Sequence, residues 1–219
     1  MVEAAKRFAS VSVNTDERQD LIERFRTNDI PNVFFFNPDG HAVLKLEYPD
    51  MDTPEKLLAG MTLAEESAAR FAEREDALVA ATEADRNDGK AFAALGDFYN
   101  GAYSYHLAAS AYREAAALLP ESETKAIESI RLEIVFMELK QGRLEACLAE
   151  ADRFESMFPK SENLAQAALY RGYAHFYAKD YDSAAKVLEA LRKNHPKAPA
   201  AAAAKKVLDA IRSERAKSR

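Results

Sequence analysis

GKAFAALGDFYNGAYSYHLAASAYREAAALLP, residues 89–120, is the stretch whose spacing decides the fold. Counting Gly89 as position one, Phe92 stands at 4, Leu95 and Gly96 at 7 and 8, and Tyr99 at 11. Ala108 follows at 20, Tyr112 at 24, Ala115 at 27 and Pro120 at 32. Arg86-Asn87-Asp88-Gly89 breaks the helix that precedes the stretch, and Pro120 stops the helix that ends it.

These eight residues resemble the tetratricopeptide repeat at every position where that pattern is strict. The resemblance implies two antiparallel helices that cross closely at Gly96 and Ala108, with Tyr99 and Tyr112 filling the space beside them. It implies an interaction module, because the family binds proteins or peptides and does no chemistry of its own. In the family, first-helix positions 2, 5, 9 and 12 line a concave groove; here these are Lys90, Ala93, Asp97 and Asn100. A groove of that kind holds an extended or helical peptide. Members that clamp a C-terminal carboxylate use asparagine at position 9, and Asp97 would repel one.

Two more degenerate units follow. Gly142, Leu144, Cys147, Phe154 and Pro159 fall near the pattern's later positions, with Glu138 where an aromatic is usual. Leu132, Val135, Phe136 and Leu139 keep the spacing of a buried helix face. The third unit has Gly172, Tyr181, Ala184, Leu188, Leu191 and Pro196, with His175 in the usual tyrosine position. The small residues Ala108, Cys147 and Ala184 are 39 and 37 apart, not the 34 of the standard repeat, which implies longer helices or linkers. An alanine-rich helix from Ala200 to about Arg215 is expected to cap the array.

The first 60 residues differ in kind. Ala9-Ser10-Val11-Ser12-Val13 alternates with period two, as a short strand does. Asp16 and Gln19 suggest a helix start, with the helix running to about Arg26. Ile30-Pro31-Asn32-Val33-Phe34-Phe35-Phe36 reads as a strand buried on both faces. Asn37-Pro38-Asp39-Gly40 is a turn, and His41 to Leu46 returns as the hairpin's second strand. Thr53-Pro54 starts a helix, and Thr62-Leu63-Ala64-Glu65 reads as a further capping box.

Ile30-Pro31 before the apolar strand, with Asn37-Pro38-Asp39-Gly40 in the hairpin, resembles the thioredoxin fold over about residues 1–60. The resemblance implies that Pro31 is the family's cis-proline. The family's first strand and its Cys-x-x-Cys helix are missing from the sequence, and the absent strand is central in that fold. The expectation is that Met1 is an internal methionine of a longer natural chain; the alternative is a sheet that closes in an unusual way.

Composition narrows the chemistry. Of 219 residues, 48% are apolar and 30% charged, with seven glycines and a net charge of −6. That suits a soluble helical protein and argues against general nucleic-acid binding. The stretch Lys205–Arg219 carries six Lys or Arg against two acids, a basic tail that reads most simply as an exposed helix end. One cysteine, Cys147, excludes an intramolecular disulfide, and its small-residue position reads as a buried structural thiol. The histidines His41, His106, His175 and His195 have no ligand spacing. No phosphate loop, nucleophile elbow or His-Glu-x-x-His is present. The aromatics Tyr99, Tyr103, Tyr105, Tyr112, Tyr170, Tyr173, Phe176 and Tyr177 read as inter-helix packing.

The sequence therefore predicts a mostly α protein. A right-handed array of about three tetratricopeptide-type repeats (89–215) follows a connecting helix (61–88) and an incomplete α/β thioredoxin-like segment (1–60). The predicted function is non-enzymatic protein or peptide binding through Lys90, Ala93, Asp97 and Asn100, with no catalytic residue, cofactor or metal, no nucleic acid and no membrane span. The alternative is the C-terminal part of a thiol-disulfide oxidoreductase whose Cys-x-x-Cys lies upstream of Met1. A third reading has the sheet edge pairing between copies. The compartment reads as cytoplasmic for the chain as written, and as bacterial envelope if it extends upstream.

Overall fold

The computed structural model describes residues 7–13, 21, 25 and 32–217. Among them the chain is mostly helical, with one two-stranded antiparallel sheet. It divides into two compact units, residues 1–108 and 109–219, and the division falls inside a helix.

In the first unit, β1 (Asn32–Phe36) pairs with β2 (Ala42–Glu47), Val33 opposite Leu46 and Phe35 opposite Leu44. Gly40 turns the hairpin at φ +83°, a left-handed conformation that glycine adopts without steric cost. Its amide donates to Asn37 O, and the Asn37 side chain accepts from the His41 amide. The helix α1 (Pro54–Ala84) is opened by Thr53, whose hydroxyl accepts from the Lys56 amide. One face of the sheet lies on α1, where Phe35, Leu46, Met61 and Ala64 are buried together. The approach is close at Gly60, where a Cβ would fall 2.3 Å from Leu46 Cδ1. The helix α2 (Gly89–Gly101) is capped by Asp88, which accepts from the Lys90 and Ala91 amides.

The helix α3 (Tyr105–Leu118) passes from the first unit into the second. A 3₁₀ turn at Glu121–Glu123 then leads into α4 (Thr124–Lys140), α5 (Leu144–Met157), α6 (Leu164–Tyr177), α7 (Tyr181–Asn194) and α8 (Pro199–Lys217). Each of α4 to α8 packs on the next, and α6 also packs on α4 and α8. Val135, Cys147, Ala151, Phe154 and Ala167 share one buried core. Leu169, Ala184, Leu188, Ala204 and Ile211 belong to a second.

The three turns from α2 to α3, α4 to α5 and α6 to α7 are the same turn. Tyr103, Gly142 and Lys179 take left-handed φ of 56°, 70° and 60°. One residue on, the amides of Ser104, Arg143 and Asp180 donate to the carbonyls of Tyr99, Glu138 and His175. This six-to-one bond satisfies carbonyls that a helix end otherwise leaves orphaned. Four residues further, the amides of Ala108, Cys147 and Ala184 donate to the carbonyls of Ser104, Arg143 and Asp180. All three of these small residues are fully buried.

Several expectations change. Ala9–Val13 is not a strand: its residues are exposed, Val11 at 85%, and two valines offer too little apolar surface to hold a strand in place. The apolar strand is not buried on both faces. Within β1 only Phe35 is buried and Phe36 is 45% exposed; Phe35 is on the face that packs against α1. On the other face the Phe34 ring meets Phe25 and Tyr103, and the Lys45 ammonium lies over it. Thr62 starts no helix. It lies inside α1 with its hydroxyl donating to Leu58 O, since Gly60, Met61 and Ala64 are buried and the helix runs on through them. Pro31, and most of the helix expected from Asp16 to Arg26, lie outside the described residues.

Candidate functional site

The four groove candidates lie along one side of α2. Lys90 and Asp97 are exposed, Ala93 and Asn100 half-buried, while Leu95, Gly96 and Tyr99 are buried. Spacings of three and four residues place the candidates in one stripe. The shared turn fixes the equivalent residues of the later helices. On α4 they are Ser129, Leu132, Phe136 and Leu139; on α6 they are Gln166, Leu169, Tyr173 and Phe176. The equivalent positions are thus mainly polar on α2 and, past Ser129 and Gln166, apolar to aromatic on α4 and α6. Phe136 packs 5.3 Å from Tyr170, and Tyr173 stacks on Tyr177 with centroids 6.1 Å apart. Phe136, Tyr170, Tyr173 and Phe176 keep part of their surface in solvent and Tyr177 is 36% exposed. The Lys140 ammonium also lies 5.4 Å over the Phe136 ring, and partly exposed aromatics of this kind are common among the anchors of binding surfaces. Sequence reading favours packing over ligand contact for Tyr170, Tyr173, Phe176 and Tyr177, and sets Phe136 on a buried helix face.

A polar network that the sequence did not reveal joins four elements of the first unit. His41 Nδ1 and Ser104 Oγ are hydrogen-bonded at 2.5 Å. His41 Nε2 lies 3.8 Å from Glu75 Oε1, to which Tyr99 donates its hydroxyl at 2.8 Å. Phe71 stacks on the imidazole at 5.3 Å. Burial first, then the hydrogen bond to Glu75, push the Tyr99 hydroxyl up to about 12. Serine, histidine and glutamate are the ingredients of a nucleophilic relay, but the chemistry needs an accessible hydroxyl. Ser104 is 6% and His41 7% exposed. The network is a clasp that ties the hairpin turn to α1, α2 and the α2–α3 turn.

The second unit has its own buried polar centre. Glu138, fully buried on α4, is held by two guanidiniums. Arg143 donates Nη2 to Glu138 Oε1 at 2.9 Å, and its Nε lies 2.6 Å from Oε2 in a pair too bent to be a hydrogen bond. Arg113 on α3 donates to Oε1 as well. Cys147 is buried nearby, its thiol pushed up to about 12 by burial first and by the Glu138 charge second. A thiol held neutral in this way is inert. Among the described residues no group of three His, Cys, Asp or Glu side chains could hold a metal ion. No described helix is long and apolar enough to cross a membrane.

No protein-family model matches this chain, and no curated protein matches it. The fold defines a mostly helical protein with a small two-stranded antiparallel sheet among its described residues.

Proposed function

We propose that this protein is a binding module: a tetratricopeptide-type array of three right-handed helical hairpins, closed by α8, that engages a protein or peptide through its first helices. The observation that carries the reading is the turn repeated at Tyr103, Gly142 and Lys179, each followed five residues later by a fully buried small residue. Identical turns give each hairpin the same internal geometry, and hairpins of that kind, where they stack, present their first helices as a binding surface. Lys90, Asp97 and Asn100 supply polar contacts to a peptide backbone on α2. Phe136 and Tyr173 supply apolar anchors on α4 and α6. Cys147, buried and held neutral, is not the nucleophile of a thiol-disulfide chemistry; that alternative rests on a Cys-x-x-Cys upstream of Met1.

Selection of a displayed random-peptide library on the immobilised protein tests the proposal. Enriched peptides should bind the wild type and lose affinity for Asp97→Arg, Asn100→Ala or Tyr173→Ala at unchanged helicity. Peptides that bind all three variants as tightly as the wild type would remove the first-helix face from consideration.

A further inference from the structure

Among the described residues, the unpaired basic charge of the C-terminal end extends from the start of the basic tail back into the last turn of α7. Between Arg192 and Lys206 the chain has five Lys or Arg, namely Arg192, Lys193, Lys197, Lys205 and Lys206, and no acid. All five are exposed. Among the described residues none of the five enters an ion pair, whereas the tail arginines are neutralised: Arg212 pairs with Asp209 at 2.8 Å and Arg215 with Asp182 on α7.

The geometry gathers these cations. The helices α7 and α8 pack on each other and are joined by residues 195–198 alone, a connection short enough to make them an antiparallel hairpin. Arg192 and Lys193 occupy the last turn of α7, Lys197 the connection, and Lys205 and Lys206 stand about 10 Å up α8. The inward face of α8, with Ala200, Ala204, Val207, Leu208 and Ile211, is buried in the core, so both lysines lie on its outer side. Arg192 and Lys193 are favoured by the carbonyl end of α7. Lys197, Lys205 and Lys206 have no such compensation.

We infer that this hairpin end is a second docking surface, and that its occupant is a short acidic segment of a partner protein. Five positive charges within a net −6 leave −11 for the rest of the chain. A long polyanion or an extended anionic membrane would meet that negative remainder, while a short segment need touch only the hairpin end. No Phe, Tyr or Trp lies between Arg192 and Lys206 to stack a nucleic-acid base. The apolar face of α8 is spent in the core and unavailable for insertion into lipid. The inference does not depend on the first-helix groove, whose variants test that reading separately.

Fluorescence anisotropy of the full chain with a labelled peptide of about twelve residues, rich in Glu and Asp, decides the matter. The peptide should bind, and raising salt from ~50 to ~300 mM should weaken binding by about tenfold. The triple variant K197E/K205E/K206E should lose about tenfold or more in affinity at unchanged helicity. The charge-preserving K197R/K205R/K206R should bind like the wild type, and R212E should change nothing. The inference fails if the wild type does not bind the peptide or if the triple reversal binds equally well. It fails equally if anionic phospholipid vesicles or duplex DNA are bound in preference to the peptide.

Discussion

Gly172 on α6 and Leu188 on α7 meet so closely that a Cβ on Gly172 would fall 2.3 Å from Leu188 Cδ2 and 2.7 Å from its Cγ. Leu188 is fully buried within the same core as Leu169, Ala184 and Ile211, so it has nowhere to retreat. Gly172→Ala should therefore destabilise the protein by about 1–3 kcal/mol through overpacking. Adding Leu188→Ala should remove the clash, making the double variant more stable than the sum of the two single losses. Urea denaturation of the four proteins measures the coupling, and strictly additive losses would refute the close crossing.

Glu138 has unequal partners. The carboxylate is fully buried, while Arg113 and Arg143 are 39% and 49% exposed. Removing the carboxylate frees two guanidiniums that water can reach; removing both arginines strands a charge in the core. Arg113→Ala with Arg143→Ala should cost about 3–5 kcal/mol, and Glu138→Leu clearly less. Chemical denaturation giving the opposite order would mean that the carboxylate is solvated.

Ser104→Ala should leave His41 Nδ1 buried without its partner, since the imidazole side chain is only 8% exposed. The expected loss is about 1–3 kcal/mol. His41→Phe keeps a ring against Phe71 and Tyr99 and should cost less when Ser104 is already alanine than when it is not. A melting series of the four proteins reads this directly. Equal effects in both backgrounds would show that the two side chains do not interact.

Cys147 gives a pH dependence with a definite sign. Burial raises the thiol from 9.0 to about 12, so above pH 9 the unfolded chain releases this proton before the folded one does. The contribution to stability is complete below pH 9 and is lost as pH rises towards 12. Tyr99, raised from 10.0 to about 12, acts in the same direction. The melting temperature should fall between about pH 9 and 11, and less steeply in Cys147→Ala. Native protein should resist a thiol-specific reagent at neutral pH and react on unfolding. Rapid labelling of the native state would contradict this burial.

The parts legible in the sequence are those with local causes. Asn37-Pro38-Asp39-Gly40 announces its turn within four residues, and Thr53-Pro54 announces α1. The positions of Ala108, Cys147 and Ala184 foreshadow the shared turn through their spacing. Pairings made at long range were not legible. His41 finds Ser104 across 63 residues, and nothing near either residue signals the other. Glu138 stood out as a departure from the pattern, yet its partner Arg113 lies 25 residues earlier on another helix. The failed strand at Ala9–Val13 and the misread cap at Thr62 share a cause. A weak local signal yields to what the neighbouring apolar surface requires.

The buried carboxylate of Glu138 also gives the hairpins an order. Hairpins with purely apolar contacts could be copied, exchanged or deleted, since one greasy face suits another. The α4–α5 hairpin instead accepts as predecessor only a helix that offers a cation at the height of Arg113. A gene duplication that set this hairpin behind a helix without that cation would leave its carboxylate short of a partner. One charged residue thus works as an address label, making the sequence of modules heritable as a unit.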